Sequence, residues 1–213
     1  MSEKNYNTDN EEVVFEGKKT GKLTAKDLIY TGAFGALYFV GMFAVVGIFG
    51  MVPVLYLVAP LPVGVVCATI YIMYVSKVQK FGAILILSAL FCIIFMSSAG
   101  ILAPIAIVAG LLAEFVASRG KYQSKKMVSM SYIAFNLVMM MPYLQLCFMT
   151  STFMDLTVEY YGQSYADAIQ QVLDIFGQGL IVVEILLAVV GAFIGIMLAN
   201  KLFKKHFEKA GLV

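Results

Sequence analysis

Two carboxylates, Glu114 and Glu184, lie inside apolar stretches of this chain and have the most chemistry to offer. An ionisable side chain in hydrocarbon is costly to keep there, so each marks a functional hypothesis by default. Glu184 falls about five residues into the last apolar stretch, roughly 8 Å along a helix. Tyr143 and Gln145 fall at similar depth in the preceding stretch, and Asn136 lies deeper. Together these four could line a cavity that opens on one side of a membrane and binds a small molecule. The plainer alternative for Glu184 is snorkelling to the headgroups, or a hydrogen bond to a neighbouring helix that serves packing alone. Glu114 stands about a turn from Arg119, and an ion pair is expected there; such pairs at a surface stabilise little.

Other reactive residue types offer less. Met139, Met140 and Met141 are consecutive, so on a helix they point in different directions and cannot converge on one soft metal ion; with Met149 and Met154 they read as adaptable packing. His206, the single histidine, sits in a basic tail, so no apolar stretch holds a histidine to activate a nucleophile. Cys67, Cys92 and Cys147 lie in apolar runs without metal-like spacing and read as small apolar residues rather than a disulfide framework. There is no Walker A pattern, no HExxH and no Cys/His cluster. The expectation is therefore no catalytic residue, no metal, no cofactor and no enzyme activity.

The elements that must position these residues follow from composition. The 213 residues are 61% hydrophobic with mean hydropathy +0.89, against roughly 45–50% apolar for a soluble domain. A bilayer core takes about 20 helical residues to cross, so six crossings use roughly 120 residues. That leaves tails and one sizeable loop, with no room for a nucleotide-binding domain.

All fifteen Lys and Arg residues fall on one side of that six-span topology. They cluster at Lys4 to Lys26, at Lys77 and Lys80, at Arg119 to Lys126, and at Lys201 to Lys209. The connections between these clusters on the other side carry no cation, which predicts that both termini are cytoplasmic. Net charge is only +2, so no nucleic-acid partner is expected.

Residues 1–26 read as a polar cytoplasmic tail, residues 27–200 as an all-α six-helix transmembrane bundle, and residues 201–213 as a basic amphipathic tail for the headgroup layer. Thr24 and Asp27 could cap span 1, from about Leu28 to Gly50. Pro53, Pro60 and Pro62 predict an outer loop, with regular helix only from about Val63 to Ser76. Spans 3 to 6 are expected near 81–96, 101–118, 127–148 and 179–200. Thr150 to Phe176 is the longest loop, with one amphipathic helix starting in a capping pattern at Ser164 to Asp167. Gly32 and Ala36, with Gly35 beside them, make a small-residue patch on span 1 that lets another helix approach closely.

The membrane part resembles the S (substrate-binding) components of energy-coupling-factor transporters, within the MptD or Trep-Strep group. The resemblance rests on KLTAKDLIYTGAFGALYFV in span 1, KVQKFGAILI at the first cytoplasmic turn, GLLAEFVASRGKYQS ending span 4, NLVMMMPYLQL in span 5, and the ending LANKLFKKHFEKAGLV. It covers about residues 22–213, and the acidic segment before Gly21 has no counterpart. It implies a six-helix S-component fold, a membrane T component and two cytoplasmic ATPases as partners. It also implies an outward-facing pocket near Tyr143, Gln145, Glu184 and the two outer loops. The family's AxxxA contact motif falls on Gly32 and Ala36, with Gly in place of the first Ala.

The expected function is thus capture of a vitamin-like micronutrient or another small molecule, with ATP hydrolysed on other chains. The rivals are a self-sufficient small transporter or channel, a membrane-bound enzyme, and an adaptor without ligand.

Overall fold

A computed structural model describes residues 21–203, so the expected tails before Gly21 and after Phe203 lie outside the described residues. Every regular element among the described residues is helical. Helix α1 (Ala25–Phe49) opens with the expected capping box: Thr24 and Asp27 satisfy each other's backbone N–H groups. A single turn, α2 (Pro53–Tyr56), precedes α3 (Pro60–Val78). Helix α3 therefore begins at Pro60, earlier than Val63, because a proline in the first turn has no N–H to leave unpaired there.

Helix α4 (Ala83–Ala99) leads through a 3-10 turn at Gly100–Leu102 into α5 (Ile105–Arg119). The expected fifth span is interrupted. Helix α6 (Lys125–Asn136) tightens into a 3-10 stretch (Leu137–Met140) before α7 (Met141–Phe148). Pro142 cannot donate back to the preceding turn, so a break falls ahead of it.

The long connection holds two helices rather than one, α8 (Thr150–Tyr161) and α9 (Gln163–Phe176). They are hinged at Gly162, whose φ of +87° suits glycine. The capping pattern expected at Ser164 is not used, since α9 starts directly after this glycine. A 3-10 turn at Gly177–Gly179 then leads into α10 (Leu180–Leu202).

Among the described residues, five helical segments are long and apolar enough to cross a membrane, and Ala83–Met96 is a shorter apolar helix between them. The chain is an integral membrane helical bundle. Apolar residues such as Leu37 and Val40 on α1, Leu111 on α5 and Leu186 on α10 face outward, as lipid-facing positions should. Inside, Tyr38, Phe91 and Phe135 meet edge to face, with centroids 5.4 to 5.7 Å apart, and Tyr71 packs on Phe135 at 4.9 Å.

Helices α3 and α10 run parallel and make the closest crossing. A Cβ on Gly191 would lie 2.2 Å from the Leu61 carbonyl oxygen, and one on Gly195 would lie 2.4 Å from that of Gly64. Gly191 and Gly195 form a GxxxG pair, whose missing side chains let backbones touch where lipid offers helices no hydrophobic drive. Tyr132 donates to the Gly64 carbonyl at 2.8 Å, and Asn136 Nδ2 donates to that of Ala188 at 2.9 Å, seating α6 on both helices.

The start of α1 and the α3–α4 turn meet at one end, where Lys80 Nζ lies 2.6 Å from Asp27 Oδ2. Glu114 is at this end too, but not paired with Arg119 as expected. It is 1% exposed, accepts from Tyr122 Oη at 2.5 Å and takes the Leu85 N–H at 3.1 Å. It thereby caps the N-terminus of α4 from a neighbouring helix, supplying the acceptor that Gly82 cannot. Arg119 instead lies over the Phe115 ring, 4.4 Å from its centroid. Glu114→Ala should lower stability by about 2–4 kcal/mol, since two buried donors lose their acceptor. Arg119→Ala should cost far less. Equal drops in detergent-phase melting temperature would show that the capping role is misassigned.

Candidate functional site

At the end of the bundle away from Lys80 and Arg119, the helices enclose a cavity of about 270 Å³. Its walls come from the second half of α1, from α2 and the start of α3, from the end of α4, and from the stretch around α7. Helix α8, with Tyr165 of α9, forms its outer side. The reason is local. Pro53 and Pro60 stop α1 from running straight into α3 and leave a one-turn step, and Pro142 offsets α7 from α6. A bundle with two interrupted helices leaves space between them.

Eight of the twenty lining residues are aromatic. The Tyr56 and Tyr143 rings lie 5.6 Å apart, with Phe153 6.4 Å from Tyr56, and Tyr161 and Tyr165 stack at 4.7 Å. Two hydroxyls pin the walls. Tyr143 Oη donates to the Tyr56 carbonyl at 2.8 Å, tying α7 to α2. Tyr165 Oη donates to the Gly50 carbonyl at 2.8 Å, fastening α9 to the end of α1. The Thr157 hydroxyl is turned back on the Phe153 carbonyl at 2.7 Å, which leaves Gln145 as the main amide facing the space. Such a site can hold a small molecule by ring stacking and orient it with a few polar atoms, the usual division of labour in ligand pockets. Among the described residues, no three His, Cys, Asp or Glu side chains gather closely enough to hold a metal ion.

The four residues singled out for substrate binding divide into two pairs. Tyr143 and Gln145 line the cavity. Asn136 and Glu184 stand behind its wall. Asn136 is engaged with α10 through Nδ2, while its Oδ1 has no partner. Glu184 is 0% exposed and neither carboxyl oxygen has a hydrogen-bond partner. It sits one turn before Ala188 on α10, within electrostatic reach of Tyr56, Tyr143 and Cys147. Sequence reasoning missed Tyr56, Tyr161, Tyr165 and Phe153. The signal available was the density of tyrosine in the cation-free segments, where aromatic residues gather at a membrane boundary.

The span 1 patch also divides. Gly35 is buried, and a Cβ there would touch Leu87 and Leu90 at 3.4 Å, so it serves packing of α1 on α4. Gly32 and Ala36 are exposed on the outward side, and nothing lies within 4 Å of a Cβ placed on Gly32.

A family model described as a hypothetical bacterial integral membrane protein, Trep_Strep, matches residues 25–209. No curated protein and no solved structure matches the chain.

Proposed function

We propose, from the premise that this chain belongs to the Trep_Strep family of bacterial integral membrane proteins, that it is the substrate-binding S subunit of an energy-coupling-factor importer. It takes a vitamin-like micronutrient or similar small molecule from outside and delivers it with a T component and two cytoplasmic ATPases. The observation that carries this reading is the cavity, lined in part by aromatic rings and bounded by α8 and Tyr165 of α9, at the end where the chain has no cation. With the cationic segments held on the cytoplasmic side, that end faces outward and both termini face inward. The sequence has no phosphate-binding motif, so energy comes from other chains. The exposed Gly32 and Ala36 give the T component a flat surface on α1.

The protein purified in mild detergent should retain a small molecule detectable by mass spectrometry. The same protein, tagged and expressed in its native host, should bring down a membrane partner and two ATPases. A chain that emerges empty and alone would refute the proposal. The unpartnered Glu184 favours one second reading, a self-sufficient transporter coupled to a proton or metal cation. Uptake into vesicles holding this chain alone, driven by an ion gradient without ATP, would establish that reading instead.

A further inference from the structure

We infer that the cavity selects a flat organic cation, an aromatic or heteroaromatic molecule bearing an amine protonated at neutral pH, with Glu184 as its counter-charge and tyrosine rings as its walls. This rests on the binding role proposed above and names the class of ligand within it.

Three independent observations converge. Glu184 is fully buried and both its carboxyl oxygens lack a partner, although burying a carboxylate unpaired is among the costliest arrangements in a protein. A carboxyl kept there either holds its proton or gains a positive partner, and Tyr56 and Tyr143, which lie within its electrostatic reach, line the cavity where such a partner would sit. The charge need not touch the ligand. In a low-dielectric wall, attraction between opposite charges remains strong over several ångströms.

The walls themselves suit a cation. Tyr56, Tyr143, Tyr161 and Tyr165 all line the cavity, and aromatic rings attract ammonium groups through their negative quadrupole and stack on flat rings. Among the described residues no Lys, Arg or His belongs to the lining, so no cationic side chain there would pair with an anion.

The approach is acidic. Asp155 and Glu159 on α8 and Asp167 and Asp174 on α9 are the charged residues of these two helices, and no cation accompanies them. A field of one sign over a cavity mouth raises the local concentration of the opposite ion and repels like charge. The volume of about 270 Å³ suits a compact ligand, just below the usual range of roughly 300–1,000 Å³ for small-molecule pockets.

The test uses three indole probes of nearly equal shape: tryptamine as the cation, tryptophol as the neutral analogue and indole-3-acetate as the anion. The chain has no Trp, so in maltoside micelles the indole signal belongs to the probe alone. Equilibrium dialysis should show tryptamine binding about tenfold or more tighter than tryptophol, with indole-3-acetate weakest. Glu184→Gln should abolish the advantage of tryptamine and leave tryptophol unchanged. If that variant does not fold, the order of the three probes on the unaltered protein decides the matter. Tryptophol or indole-3-acetate binding as tightly as tryptamine overturns the cation class and leaves the pocket standing. Binding of none of the three overturns the class as well. If the purified protein also carries no small molecule, the binding role falls with it.

Discussion

Replacing Gly191 by leucine is expected to prevent the bundle from closing. The obstacle to a side chain is the backbone of α3, with the Leu61 carbonyl oxygen 2.2 Å and its Cα 2.7 Å from a Cβ at that position. Backbone cannot swing aside as a side-chain tip can, so α3 and α10 would have to separate. Separation would also strain the bonds from Asn136 to the Ala188 carbonyl and from Tyr132 to the Gly64 carbonyl, since α6 bridges the two helices through them. Overpacking typically costs about 1–3 kcal/mol in a core that can yield; here the loss should exceed 4 kcal/mol, in the range tied to disrupted cores. Size-exclusion profiles of the membrane extract would show aggregate or no protein. Gly47→Leu on α1, where nothing lies within 4 Å, is the matched control and should be tolerated. A Gly191→Leu protein that is monodisperse and melts like the parent would show that this crossing is not the structural centre.

The second large effect concerns assembly rather than folding. Ala36→Phe is expected to abolish co-purification with the T component and ATPases while leaving melting temperature and ligand retention near those of the parent. Ala36 is exposed on α1, so a larger side chain meets only lipid within this chain, yet it would hold a partner helix away from the small-residue surface. Gly35→Phe, one residue earlier, should give the opposite pattern, lowering stability because Leu87 and Leu90 already fill that side. If Ala36→Phe leaves the complex intact, the partner docks elsewhere. If the two substitutions behave alike, the division of this patch into an inner and an outer side is mistaken.

The span 1 patch shows how far sequence reading reaches. Composition located Gly32, Gly35 and Ala36 as a small-residue cluster, but not which of them faces the bundle. That depends on where α4 comes to rest against α1. The same habit of reading missed the pair with the larger structural consequence. Gly191 and Gly195 have the same spacing as Gly32 and Ala36, and their pattern was visible in the sequence all along. Nothing local distinguishes a glycine that meets backbone from one that meets lipid.

Glu114 makes the same point for charge. Arg119 is its obvious neighbour along the helix, and sequence separation favours it. The carboxylate nonetheless turns inward, because the start of α4 offers an unpaired N–H and Tyr122 a hydroxyl at a depth where water is scarce. The candidate site was legible to the same limited extent. Depth along a helix is a local quantity, and it placed Tyr143 and Gln145 at the level of the cavity. Rotation about the helix is set by neighbours, and it put Asn136 and Glu184 behind the wall.

By itself the sequence determined that this is a helical membrane protein, roughly where its crossings lie, and that its cations gather in alternate connections. Hydrophobic length and charge position act on each segment separately, so no knowledge of its neighbours is needed. Only the tertiary structure decided that α8, with Tyr165 of α9, forms the outer side of a cavity, that tyrosines from distant segments share it, and that Glu184 is left without a partner. Those outcomes depend on which helices touch and at what rotation, and contact between residues far apart in the chain is settled by packing, not by any one stretch of sequence.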